Sequence, residues 1–265
     1  MIMVFSDQND PAAAQTYSDA LTSGCYGEAA WRSDRSSRTM QALPEKTHAG
    51  SSDSKMETSK LESYYHFCGK GLRITRDLSN NLGISAIIWE SGLVLCRYFQ
   101  QEKIDFLGKK VIELGSGTGI VGILATLLGG DVTLTDQPSV LRQIEFNVAT
   151  NVPKSNPSRA IVCPLRWGEN QSEFPADFDV ILGSDIVYSP LHFQGLIQTL
   201  RHLSSHTTVI YISSKMREVM GAKEFHEKIL PQYFNWEIVH RNEEKEINVY
   251  KVTKKNSGTT DQPLP

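Results

Sequence analysis

The sequence is short of several things, and each absence closes a route. Its 265 residues include four cysteines, Cys25, Cys68, Cys96 and Cys163, with no CxxC pair and no His/Cys cluster at zinc-ligand spacing. Neither a metal site nor a disulfide framework is expected, and scattered thiols of this kind are expected to be reduced, as in a cytosolic or nuclear protein. Positive charge is not in excess either. The 27 Lys and Arg residues face 30 Asp and Glu, a net charge of −3, so no field draws a polyanion and direct nucleic-acid binding is not expected. There is no apolar run of 18 residues, and the opening "MIMVFSDQND" turns polar after five residues. That is too short for a signal-peptide core, so no membrane association is expected. The lysine-bearing nucleotide loop GxxxxGK[ST] is missing, which removes triphosphate binding of that type. No internal repeat is found.

What is present is one domain between two polar stretches. Residues 1–58 are rich in Ser, Thr, Asp, Ala and Gly, with apolar positions that keep no period, and are expected to form a disordered extension. The tail 254–265, "KKNSGTTDQPLP", has the same character. Residues 59–253 alternate short β-type runs with longer helical ones. After "GLRITRD" and a loop at "LSNNLGIS", the apolar spacing of Ile88, Leu93, Leu95, Cys96 and Phe99 predicts an amphipathic helix. The strands "KKVIEL", "DVTLTD", "RAIVCPL", "DVILGSDIV" and "TTVIYISS" follow, with helices at "GIVGILATLLGG", "PSVLRQIEFNVATN" and "PLHFQGLIQTLRHL" between them. A helix around "AKEFHEKILPQYF" leads to a closing pair, "WEIVHR" and "INVYKVT". The alternation predicts an α/β fold, a doubly wound, mostly parallel sheet whose last strand runs antiparallel.

The segment "VIELGSGTGIVGILA" carries the chemistry. Gly115, Gly117 and Gly119 end a strand and open a helix, where glycine permits a sharp turn and close approach of a ligand. Read from Gly117, "GTGIVG" also satisfies the dinucleotide pattern GxGxxG, so a nicotinamide cofactor must be weighed. Asp136 ends the second strand about 20 residues on, where a carboxylate accepts ribose hydroxyls of either cofactor type. Glu113 separates the two. Two residues before Gly115, it is expected near the site, where it repels a pyrophosphate and attracts a ligand bearing ammonium and sulfonium charges. S-adenosylmethionine has both charges and no phosphate. The plainer role for Glu113 is a carboxylate at the rim that caps helix amides.

"VIELGSGTGIVGI", "DVTLTDQP", "LRWG" and "VILGSDIVY" together resemble the methyltransferase-like 21 family, seven-strand, S-adenosylmethionine-dependent protein-lysine methyltransferases. The resemblance runs from about Tyr64 to Lys251. Within the family, "FCGKGLRIT", "LGISAIIWE" and "SKMR" are most similar to members acting on elongation factor 1-alpha, which implies that factor as protein substrate and a monomeric, cytoplasmic enzyme. Position by position, the resemblance implies cofactor contacts from Trp89, Gly115, Ser116, Gly117, Asp136, Trp167 and Ser184. An adenine needs an aromatic or apolar wall and a sulfonium gains from a π face, which suits the tryptophans, although core packing is their plainer role.

"SDIVY" ends a buried strand at the edge where open α/β sheets place ligands. Asp185 there is costly to bury without a partner, and it is the candidate to hold an incoming ammonium and orient the amine, with Tyr188 as an aromatic wall. Asp-x-x-Tyr resembles the family's substrate motif; capping by Asp185 is the alternative. "SSKMR" ends the next strand on the same edge, with Lys215 and Arg217 either docking a protein substrate or lying in a solvated loop. His192, His202 and His206 are expected at the surface, and no Ser/His/Asp set assembles. The alternatives kept open are methylation of another protein, a small molecule or a nucleic acid, a noncatalytic adaptor on the same fold, and a nicotinamide oxidoreductase. The Asn-Pro-Pro-Tyr loop of amino-methylating nucleic-acid enzymes is absent.

Overall fold

The computed structural model describes residues 60–78, 82–156 and 159–255; the expectations for residues 1–58 and for the tail from Asn256 lie outside them. Seven strands form the main sheet: β3 (Lys110–Leu114), β4 (Asp131–Asp136), β5 (Ala160–Pro164), β6 (Phe178–Ser184), β7 (Ser204–Lys215), β8 (Phe234–Asn242) and β9 (Ile247–Lys254), in the order β5-β4-β3-β6-β7-β9-β8. All pairings from β5 to β7 are parallel, and β9 runs antiparallel to both of its neighbours. That is the doubly wound arrangement expected from the sequence, with the last strand reversed.

Alternation along the strands decides what each face meets. On β3, Val111 joins a cluster with α1 (Glu90–Glu102), α2 (Ile120–Leu127) and α3 (Leu141–Asn151), while Ile112 and Leu114 join a second cluster with α4 (Phe193–Leu203) and the helical turns from Ala222 to Gln232. Both faces are therefore covered, and the central strands are apolar almost throughout, as buried parallel strands must be. Glu113 breaks that run on the Val111 side, beneath the start of α2.

A two-stranded unit outside the main sheet was not anticipated in full. β1 (Lys60–Phe67) and β2 (Lys70–Asp77) pair antiparallel through a turn in which Cys68 (φ +53°) and Gly69 (φ +74°) are both left-handed, the geometry of a tight hairpin. The hairpin is tied to α3 by side-chain amides. Asn151 exchanges hydrogen bonds with the Arg73 backbone, Asn147 with the Thr75 backbone, and Gln143 accepts from the Asp77 N–H. Four residues of helix advance about 6 Å and two of strand about 6.6 Å, so amides one turn apart meet every second residue of β2.

Candidate active site

The parallel strands bring their C-terminal ends to one edge, and an open cavity of about 250 Å³ lies there. It sits where β3 connects to β4 on one side while β6 lies on the other, the switch point at which open α/β sheets bind ligands. Its walls come from the loop after β3, the end of β4, the turns after β5 and β6, and the segment leading into α1.

The loop after β3 is shaped by its glycines. Gly115 and Gly117 have φ of +61° and +55°, a region that other residues enter at a cost. A Cβ on Gly115 would lie 3.0 Å from Ile186 and 3.2 Å from the Trp167 ring, so the turn and the indole fit only without it. The loop is pinned from β4: Ser116 N–H donates to the Thr135 carbonyl at 2.9 Å, and the Ser116 hydroxyl accepts from Thr135 N–H at 3.1 Å. From the α3 side, Gln143 donates to the carbonyls of Ser85 and Gly117 at 2.8 and 3.1 Å.

Asp136 completes the cradle. Its Oδ2 accepts from Gly117 N–H at 2.8 Å and its Oδ1 from Gln137 N–H at 2.7 Å. Desolvation raises its pKa above the ordinary carboxylate range while these two hydrogen bonds pull it down. A carboxylate has about four lone-pair sites, so two remain for hydroxyls in the cavity. Opposite stand Trp89, at the start of α1 with its indole N–H on the Ile84 carbonyl at 3.1 Å, and Trp167, whose turn is anchored where Gly168 N–H donates to the Thr199 hydroxyl at 3.0 Å.

The structure brings Trp89, Gly115, Ser116, Gly117, Asp136, Trp167, Ser184, Asp185 and Tyr188 to this one cavity. Glu113 does not face it, contrary to expectation. Fully buried on β3, it accepts from Gly122 N–H at 3.1 Å, in the first turn of α2, and a Cβ on Gly122 would come within 2.6 Å of the same carboxylate oxygen. The helix can sit on Glu113 only because residue 122 is glycine. Burial pushes the Glu113 pKa up to about 8, against hydrogen bonds from Ser116 and Gly122 that lower it. The role that fits is helix capping, buried rather than at the rim.

Two further departures concern the acceptor side. Arg217 is not free to dock a partner, since both of its terminal nitrogens bind Asp185. His192, expected at the surface, is exposed but lines the cavity mouth, its ring 6.5 Å from that of Tyr188. Tyr188 is half-buried, and desolvation with the nearby Asp136 charge raises its pKa. The wall also includes Ile84, Ser85 and Ile87, which the sequence did not point to; they lie on a single 3-10 turn, Gly83–Ala86, and the residue that caps it, with no charged side chain to mark them. Among the described residues there is no group of His, Cys, Asp or Glu able to hold a metal ion, and no helix is long and apolar enough to cross a membrane.

Comparison with known proteins gives three findings. The profile of the lysine methyltransferase family matches residues 67–232. EEF1A lysine methyltransferase 3 of Xenopus tropicalis is 54% identical over 198 residues, covering 75% of this chain and 88% of that protein, and protein N-lysine methyltransferase METTL21A of Danio rerio is 39% identical, covering 78% and 93%. Among solved structures, the 16S rRNA N2 G1207 methyltransferase of T. Thermophilus in complex with AdoMet and guanosine has a TM-score of 0.54 at 14% identity, covering 75% of this chain and 51% of that one; such a likeness shows the shared fold alone.

Proposed function

Because this chain belongs to the lysine methyltransferase family, with S-adenosylmethionine as its cofactor, we propose that it methylates a lysine of elongation factor 1-alpha. The observation that carries the reading is the joining of two half-sites in one cavity: the Gly115–Gly117 cradle with Asp136 on one side, and Asp185 with Tyr188 on the other. The substrate is chosen from the 54% identity to a relative named for that activity.

In this reading Asp136 accepts the ribose hydroxyls, the loop from Gly115 to Gly117 leaves room for close backbone approach, and Trp89, Trp167 and Ser184 wall the site. When bound, the cofactor supplies an electrophilic methyl group on a positively charged sulfur. Glu113 supports the loop from below by holding α2 in place. The remaining task falls to the acceptor side, where a lysine side chain must be desolvated, stripped of its surplus proton and aimed. Tyr188 supplies an aromatic wall there, and Asp185 an acceptor for the amine. The same reading takes the enzyme as a cytosolic monomer, which light scattering at working concentration checks for the oligomeric state.

The test is transfer of a labelled methyl group from S-adenosylmethionine to purified elongation factor 1-alpha, with Asp185→Ala as control. Label on one lysine, lost in the variant while cofactor affinity persists in calorimetry, is expected. Cofactor binding without label on the factor overturns the substrate.

A further inference from the structure

Arg217 lies outside the cavity lining yet joins two of its walls. Asp185 has φ +56°, a left-handed backbone that persists in a non-glycine residue when its surroundings over-determine it. Here they do. Asp185 N–H donates to the Ser213 carbonyl at 2.7 Å. Arg217 closes a two-pronged pair, Nη1 to Oδ1 at 3.0 Å and Nη2 to Oδ2 at 2.9 Å, and Lys215 N–H reaches Oδ1 at 3.3 Å. The guanidinium carbon is also 5.2 Å from the centre of the Trp89 ring, within cation–π range. The Asp185 side chain is 4% exposed and that of Arg217 22%, so solvent screens the pair weakly.

The electrostatic consequence bears on the acceptor. The carboxylate that the sequence offers to an incoming ammonium already has its counter-ion. Other charges near the site are engaged elsewhere: Arg166 pairs with Glu169, Glu90 beside Trp89 pairs with Lys245, and Asp136 holds two backbone N–H groups. Tyr188 and His192 complete the titratable groups on the cavity wall.

We propose that Arg217 is a positioning residue for methyl transfer: by neutralising and aiming Asp185, it makes the acceptor side a hydrogen-bond acceptor without net charge, which takes lysine as the neutral amine. This rests on the lysine methyltransferase reading and refines its acceptor half. The lysine gives its surplus proton to water; its lone pair then forms the new N–C bond, and the sulfur keeps the electron pair of the bond that breaks. An uncompensated carboxylate would favour the protonated lysine, which has no lone pair. A guanidinium fork fits a carboxylate and stays charged, so it withdraws that hold without leaving Asp185 unpaired.

The test is the pH dependence of the single-turnover rate on purified elongation factor 1-alpha at saturating S-adenosylmethionine, using the full chain, with cofactor affinity from calorimetry as a check on folding. Arg217→Gln removes the compensating charge, and the rise of rate with pH should move up by about one unit, with a lower plateau. Asp185→Asn leaves the guanidinium unopposed, and the rise should move to lower pH. Arg217→Lys keeps the charge and should keep the wild-type profile while turnover falls by up to about tenfold from loss of the fork. Gln and Asn profiles that coincide with wild type, or move together, overturn the proposal and leave Arg217 a structural prop. Should the Gln variant fail to fold, the Asn and Lys profiles decide by the same signs. A wild-type chain that binds cofactor but labels no lysine of the factor overturns the substrate reading, and this refinement with it.

Discussion

A carboxyl sealed beneath a helix is costly to ionise, and Glu113 is one. Its pKa is pushed from 4.5 up to about 8 by burial. The folded state therefore holds the proton more tightly than the unfolded chain, and this contribution to stability, full below about pH 4.5, is lost as pH rises towards 8. Glu113→Gln should remove that dependence: the variant's Tm should stay flatter between pH 5 and 8.5 and exceed wild type at the alkaline end, by up to a few kcal/mol in stability. Cofactor affinity should hold within about threefold, because Glu113 does not face the cavity; a large loss would restore the electrostatic role read from the sequence. Asp136→Ala should do the reverse, weakening S-adenosylmethionine binding by about tenfold to a hundredfold, the loss of a charged acceptor worth roughly 1.5 to 3 kcal/mol, as titration calorimetry would read. Asp136 was legible because its distance from the glycines is fixed by one βαβ turn. The direction of Glu113 was not, since that depends on which face of β3 the α2 helix covers and on Gly122 letting it approach.

At the scale of elements, the helix–strand alternation was readable wherever an apolar period ran long enough, as in α1 and α4. It failed where tertiary contacts supply the order. The hairpin strand β1, "KLESYYHF", is mostly exposed, so no clean alternation marks it, and its partner β2 is held by amides of α3 rather than by the main sheet. The segment after Gly221 was expected as one helix and is broken into an α turn, a π turn and a 3-10 turn. Pro231 supplies no N–H to continue it. The amide ladder on α3 makes a graded prediction. Asn147 is fully buried and serves Thr75 N–H, the Thr75 carbonyl and the Thr118 carbonyl beside the cradle. Asn147→Ala strands these groups and should cost roughly 2 to 4 kcal/mol, or about 5 to 15 °C in Tm, with faster amide exchange at Thr75. Asn151 makes its bonds to Arg73 in an exposed setting, and Asn151→Ala should cost under about 1 kcal/mol. Equal losses in the two variants would mean that the hairpin is held by its apolar contacts instead.

For the whole molecule, the question is how much of the chain the reaction uses. The family profile ends at residue 232, but β8 and β9 lie beyond it and close the sheet against β7, the strand that delivers Lys215 and Arg217 to Asp185. A chain cut at the profile's end would lose β9 from the side of β7 and expose Ile210 and Ile212, buried β7 members of the second cluster, so the working unit must reach Lys254. At the other end, β1 starts at Lys60, and we take residues 1–58 as an extension the fold does not need. The expected outcome is that residues 59–255 alone melt within about 2 °C of the full chain. Both should gain the same increment from cofactor: at a hundredfold excess over Kd, about 2.7 kcal/mol, which for a domain of this size is roughly 5 to 11 °C. Thermal scans with and without S-adenosylmethionine measure both quantities in one experiment. An equal increment but slower methylation of elongation factor 1-alpha by the shorter chain would assign residues 1–58 to recognition of the protein substrate. A smaller increment would place them against the cofactor cavity itself.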